Sequence, residues 1–118
     1  MQNAYTEQFF KMLADNTRLR SLMLVQLEGE LCVCELTHAL ALSQPMVSRH
    51  LSLLKDAGLV STRRSGQWMY YRINPQLEAW MLQILQNTAE ANREGAPFVD
   101  DLLALKEMPN RPGAACCA

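Results

Sequence analysis

Two short apolar stripes at helical spacing, Leu36-Ala39-Leu40 and Val47-Leu51-Leu54, have only Ala41-Leu42-Ser43 between them. A connection that short forces two helices to pack steeply against each other, the arrangement of a helix-turn-helix. Ser43 suits the N-cap of the second helix and Pro45 its first turn, where a missing N–H is not needed. With the stripe inward, Ser48, Arg49, Ser52 and Lys55 face outward until Ala57-Gly58 ends the helix. Upstream, Tyr5, Phe9, Phe10 and Leu13 line one helical face. Asp15-Asn16-Thr17 suits the cap of a second helix bearing Leu19, Leu22, Met23 and Leu27 and stopping at Gly29.

Downstream the period changes. Val60 to Arg64 and Trp68 to Ile73, rich in β-branched and aromatic residues, flank Ser65-Gly66 and read as a hairpin. Asn74-Pro75 then signals a long amphipathic helix, Pro75 to Arg93, carrying Leu77, Trp80, Met81, Ile84 and Leu85. Gly95-Ala96-Pro97 breaks it, a weaker helix with Phe98, Leu102 and Leu105 follows, and Pro109, Pro112 and Gly113 announce an irregular tail. The fold class is mainly α with a β-hairpin (α+β), a winged helix-turn-helix. Residues 1–94 are expected to form one domain, and 95–118 a C-terminal extension with a possible short helix and then a flexible, Cys-containing tail.

The net charge of −1 conceals a basic module. Between Ser43 and Ile73, Arg49, Lys55, Arg63, Arg64 and Arg72 face Asp56 alone, so this stretch is +4 and the remainder −5. Attraction to phosphate acts within a Debye length of about 10 Å, so the distant acids do not cancel it. A recognition helix in the major groove turns its early residues to base edges, which makes Ser43, Gln44, Ser48 and Arg49 candidates for DNA contact, with His50 adding a backbone contact. Arg63 and Arg64 on the wing would hold neighbouring phosphates or the minor groove, supported by Gln67 and Tyr70. One such residue alone is an ordinary solvated side chain; the ordered set points to double-stranded DNA.

No apolar run approaches the roughly 20 residues of a membrane span, and the first residues resemble no signal peptide, so a cytoplasmic, membrane-free protein is expected. The four cysteines form two close pairs, Cys32/Cys34 and Cys116/Cys117, rather than a dispersed disulfide framework. In a reducing compartment that points to metal or redox chemistry, against the alternative of small buried hydrophobes. Cys32 and Cys34 fall at the start of the third helix, where the dipole favours thiolate while Glu30 and Glu35 oppose it. Side chains two apart on a regular helix diverge by about 200°, so both sulfurs meet one ion only where the chain is not helical. An ion binding both would therefore distort the third helix and tilt the recognition helix packed on it.

Glu30-Leu31-Cys32-Val33-Cys34-Glu35-Leu36, Ser43-Gln44-Pro45, Val47-Ser48-Arg49-His50-Leu51, Leu59-Val60 and Gly66 to Tyr71 closely resemble the ArsR/SmtB family of metalloregulatory repressors, over roughly residues 5 to 93. The resemblance implies a homodimer built by the first and last long helices, an inverted-repeat operator, and release of DNA when As(III) or Sb(III) binds cysteine thiolates. The chain departs from the arsenic-sensing pattern at Thr37, where the relatives most like it carry a third cysteine. Cys116 or Cys117 could supply the missing ligand, from the same or the other subunit, as could solvent or a small thiol; the tail pair could equally form its own site or have no role.

Thiolates also suit Cd(II), Pb(II) and Cu(I), and Cys34 with His38 could contribute to a zinc site, although zinc sensors of the family use His and carboxylates on the last long helix, which here has no His. A repressor responding to thiol oxidation would need Cys32 or Cys34 to pair with the tail, because the spacing within each pair is unfavourable. A thiol-dependent oxyanion reductase would need an anion-cradling loop, and neither pair is flanked by one, so no enzyme is expected.

Overall fold

The computed structural model describes residues 3–111. Helix α1 (Asn3–Leu13) and helix α2 (Asn16–Glu28) meet at a sharp corner where the Asp15 carboxylate accepts the backbone N–H of Arg18 at 3.0 Å. Gly29, at φ 94°, ends α2 in a conformation that a side chain would strain. A two-residue strand β1 (Leu31–Cys32) leads directly into α3 (Val33–Leu40), and α4 (Gln44–Asp56) follows after the three-residue turn. Ala41 enters that turn in the left-handed region, at φ 57°, a conformation that costs an L-residue about 1–2 kcal/mol. Ser43 caps α4 as expected, its hydroxyl accepting from the Met46 N–H, with Pro45 in the first turn.

Strands β2 (Val60–Ser65) and β3 (Trp68–Ile73) form the hairpin, with Ser65 opposite Trp68 and Gly66-Gln67 as the loop. The turn is thus one residue later than Ser65-Gly66, because Gly66, at φ 62°, supplies the left-handed position. The sheet has three strands in the order β1-β3-β2, all antiparallel. Leu31 lies opposite Tyr71 and Cys32 opposite Tyr70.

Helix α5 spans Ala79–Asn92, four residues later than the Pro75 start read from sequence. Asn74 is occupied otherwise: its side-chain amide donates to the Gly58 carbonyl and its carbonyl oxygen accepts the Gln76 N–H, which locks residues 74–77 as a turn that drops Leu77 into the core. The core joins Phe9 of α1, Leu22 to Val25 of α2, Leu36 and Leu40 of α3, Val47, Leu51 and Leu54 of α4, and Met81 and Leu85 of α5. No helix of the described residues is long and apolar enough to cross a membrane.

Helix α6 (Phe98–Lys106) lies beyond the Gly95-Ala96-Pro97 break but packs back on α2 and α3, with Leu102 and Leu105 buried. Arg20 of α2 pairs bidentately with the buried Asp101 of α6 (2.6 and 2.9 Å), and its Nη2 also reaches the Leu40 carbonyl at the end of α3. The hydrophobic unit therefore runs past residue 94. We expect Leu105→Ala to cost about 2–5 kcal/mol in urea unfolding, the usual cost of emptying a packed leucine site. A cost below about 1 kcal/mol would make α6 a loose appendage.

Candidate nucleic-acid interface and thiol site

On α4 the apolar stripe is fully buried, which leaves Gln44, Met46, Arg49, Ser52, Leu53 and Lys55 exposed along one face, with Ser48 half-buried beside them. Ser43 is exposed, though its hydroxyl serves the cap. His50 does not belong to this face. It is 7% exposed and points back to the α1–α2 corner, where Arg18 Nη1 stands 3.3 Å from its Nδ1 and the Asp15 carboxylate 4.0 Å away. The expected backbone contact from His50 is therefore corrected: one step along a helix from an outward Arg49 turns a side chain by about 100°, here into the core.

The wing's two arginines differ. Arg64 is exposed, with no partner recorded among the described residues. Arg63 is held bidentately by Glu30 (2.7 and 2.8 Å), and its guanidinium lies 4.8 Å from the centre of the Tyr70 ring. The pairing register explains this cluster. Cys32, Tyr70 and Arg63 are directly opposed across β1, β3 and β2, and opposed residues of antiparallel neighbours share a sheet face. The start of α3 and the wing are thus one sheet.

Cys32 adopts an extended conformation (φ −94°, ψ 169°) as the N-cap of α3, and Cys34 lies within the first turn. Because Cys32 is not helical, the two sulfurs do not diverge: they are 3.0 Å apart with α3 intact. This corrects the expectation that joint capture requires the helix to unravel. The Cys32 N–H donates to Glu35 Oε1 at 2.9 Å, and the carboxylate's other oxygen pairs with Arg111, which also reaches Glu28 at 3.0 Å. Glu35 is 1% exposed and fully partnered. Burial, and then the Cys34 thiol held against it, push the Cys32 thiol up to about 12, with the Glu35 charge adding to the rise. Desolvation thereby outweighs the helix dipole.

The pair faces a groove of about 620 Å³ lined by Val33, Thr37, His38, Gln44, Gln67, Trp68 and Met69. Its walls are the first residue of α4 and the tip of the wing. Thr37, the position where a third cysteine was missed, turns its hydroxyl back to the Val33 carbonyl at 2.8 Å. His38 is exposed, and among the described residues no group of three or more His, Cys, Asp or Glu could hold a metal ion. Two thiols side by side fit a thiophilic centre that takes two sulfurs and leaves room for a third ligand. Cys116 and Cys117 lie outside the described residues.

Sequence reading missed β1, the Arg63–Glu30 pair, the groove-lining Trp68 and Met69, and the Arg111–Glu35 contact.

Outside these sites, Phe10 of α1 and Trp80 of α5 form an exposed aromatic patch, with their ring centres 6.1 Å apart and Phe9 edge-on to both. These are the two helices expected to build a dimer.

A helical core carrying a helix-turn-helix and a hairpin wing makes the molecule a winged helix-turn-helix protein. Residues 15–62 match the family described as bacterial regulatory protein, arsR family. The arsenic resistance transcriptional regulator ArsR1 of Pseudomonas putida is 52% identical over 103 residues, covering 87% of this chain and 79% of that one. The solved structure of HlyU from Vibrio cholerae is similar at 30% identity, with a TM-score of 0.68 over 77% of this chain and 95% of that one. The homodimeric winged helix-turn-helix DNA-binding domain of Mb0332 from Mycobacterium bovis, a possible ArsR-family regulator, is 32% identical with a TM-score of 0.63, covering 74% and 80%. The chain belongs to the arsR family of bacterial transcriptional regulators.

The geometry separates the two wing arginines experimentally. Arg64→Ala should weaken binding to duplex DNA at all sequences and lower the slope of log affinity against log salt by about 1, as loss of one phosphate contact does. Glu30→Gln should tighten DNA binding by freeing Arg63. Unchanged affinity in both variants, measured by fluorescence anisotropy at several salt concentrations, would remove the wing from the interface.

Proposed function

We propose that this protein is a homodimeric cytoplasmic repressor that grips an inverted-repeat operator with α4 and the wing and releases it when Cys32 and Cys34 capture As(III) or Sb(III). In this reading it is not an enzyme. Residues 1–94 carry DNA binding and dimerisation through the aromatic patch on α1 and α5. Ser43, Gln44, Ser48 and Arg49 meet the major groove, while Arg63 and Arg64, supported by Gln67 and Tyr70, meet phosphates or the minor groove. The observation that carries the reading is the pair of sulfurs 3.0 Å apart in a groove walled by Gln44 and by Gln67 to Met69. Whatever the cysteines capture there must sit against both DNA-gripping elements at once. The arsenic resistance regulator of P. putida, half identical to this chain, supports the choice of inducer.

The raised Cys32 thiol favours the same choice. Arsenous acid brings its own hydroxides: each As–S bond that forms breaks an As–O bond, and the thiol proton leaves in water. A divalent cation has no such acceptor and must expel the protons to solvent, a costly step for a thiol pushed up to about 12. Release by thiol oxidation is a second reading, because the sulfurs lie closer than their spacing in sequence implied. Peroxide, however, attacks thiolate, and burial keeps Cys32 protonated.

The test is anisotropy titration of the operator complex with arsenite, antimonite, cadmium, zinc and peroxide. Arsenite should release the wild type and fail with Cys32→Ser/Cys34→Ser; release of that variant by arsenite would refute the sensor assignment. Between pH 6 and 8, where the buried Cys32 thiol stays protonated, apparent cadmium affinity should rise by up to about 10-fold per pH unit as that thiol expels its proton, whereas arsenite affinity should stay nearly flat. A steep arsenite dependence would mean capture by free thiolates.

A further inference from the structure

Cys32 and Glu35 hold each other at the start of α3: the Glu35 N–H points to the Cys32 sulfur, and the Cys32 N–H donates to Glu35 Oε1 at 2.9 Å. This exchange keeps Cys32 extended at the N-cap, the conformation that sets its sulfur 3.0 Å from that of Cys34. The weak point is the carboxylate. Glu35 is 1% exposed, and a buried carboxylate is held as a charge only by an opposite charge and hydrogen bonds. Among the described residues that opposite charge is Arg111, which pairs with the second oxygen of Glu35 and, at 3.0 Å, with Glu28 at the end of α2. Arg111 therefore bridges the two ends of the connection, residues 29–32, that carries Cys32. It reaches this place because α6 is docked on α2 and α3, with Arg20 and Asp101 paired at 2.6 Å.

We propose that Arg111 is a positioning residue for inducer capture: by neutralising Glu35 it keeps Cys32 in the conformation that sets the two sulfurs side by side, a role that rests on the sensor reading given above. Without the guanidinium, Glu28 and Glu35 face each other uncompensated, and the Glu35 carboxylate is better accommodated in water than in the core. Its departure removes the acceptor of the Cys32 N–H and frees the backbone that carries one of the two sulfurs. A centre that needs both thiols must then order Cys32 at the moment of capture, whereas a reagent that bonds to one thiol need not. The substitution Glu35→Gln keeps an oxygen for the Cys32 N–H and needs no counter-charge, so it makes Arg111 dispensable. In this view the chain beyond α6 is part of the sensor's frame, although it touches neither sulfur.

The test uses the full-length chain with Cys116→Ser/Cys117→Ser as the parent, so that Cys32 and Cys34 are the thiols that report. Competition titration compares phenylarsine oxide, which takes two thiols, with methylmercury, which takes one and can use Cys34 alone. Arg111→Ala should bind phenylarsine oxide about 10-fold more weakly, with methylmercury unchanged, and Arg111→Lys should recover part of the loss. Glu35→Gln/Arg111→Ala should return to within about 2-fold of the parent. Parental phenylarsine oxide affinity in Arg111→Ala, or an equal loss for both reagents, would overturn the proposal. So would a double variant as weak as Arg111→Ala, which would make the guanidinium a packing element rather than a counter-charge. If Arg111→Ala does not fold, the double variant still decides: parental binding upholds the role of the charge, and a loss of about 10-fold overturns it. The sensor reading fails separately: phenylarsine oxide held by the parent's thiol pair without release of operator DNA would sink that reading and leave the positioning role standing.

Discussion

The pairing of Leu31-Cys32 with Tyr71-Tyr70 is the contact on which the arrangement of the site depends. Two residues of strand are too few to persist alone, and they hold because β2 and β3 already present a paired edge. Their pairing fixes Cys32 in an extended conformation at the N-cap of α3, and that conformation brings its sulfur to Cys34. It also sets Cys32 in line with Tyr70 and Arg63, so the thiol pair and the wing share one sheet. Were Cys32 helical, the sulfurs would point apart and the wing would lose its third strand.

Helix α3 is held at both ends by arginines. Arg20, paired with Asp101, reaches the Leu40 carbonyl where α3 ends, and Arg111 holds Glu35 in its first turn. Both carboxylates are buried and fully paired, so breaking either pair would leave an uncompensated charge in a dry site, a change that typically costs about 3–5 kcal/mol. This bracketing makes melting of α3 an expensive route to DNA release. Motion of the groove walls, which are the exposed start of α4 and the tip of a two-residue loop, is a cheaper one.

Much of the fold was legible because its signals are local. Ser43 and Pro45 mark the start of α4, Gly29 the end of α2, and the 3.6-residue stripes on α2, α4 and α5 became the core. Two of the misreadings share a cause: a tertiary partner overrode a local preference. Asn74-Pro75 has the chemistry of a helix start, yet Asn74 bonds to Gly58 and Gln76 and delays the helix to Ala79. β1 has too few residues to show a period and exists through pairing with residues some 40 positions away. His50 was grouped with Arg49 by its motif, although helical rotation sends the neighbours to different faces. Type and spacing singled out Cys32 and Cys34, but not which of them is helical; Cys32 is extended at the N-cap of α3, and that brings the sulfurs together without distorting the helix. Arg111 carries no signal in sequence, since an arginine amid prolines gives no hint of a buried glutamate 76 positions earlier.

The central claim is that the thiol pair and the DNA-gripping elements compete for one groove, and linkage provides its most direct measurement. Arsenite affinity would be determined by calorimetry on the free protein and again on the protein saturated with operator DNA. The account predicts that DNA lowers arsenite affinity by the same factor by which arsenite lowers operator affinity. Equal arsenite affinity with and without DNA would contradict it.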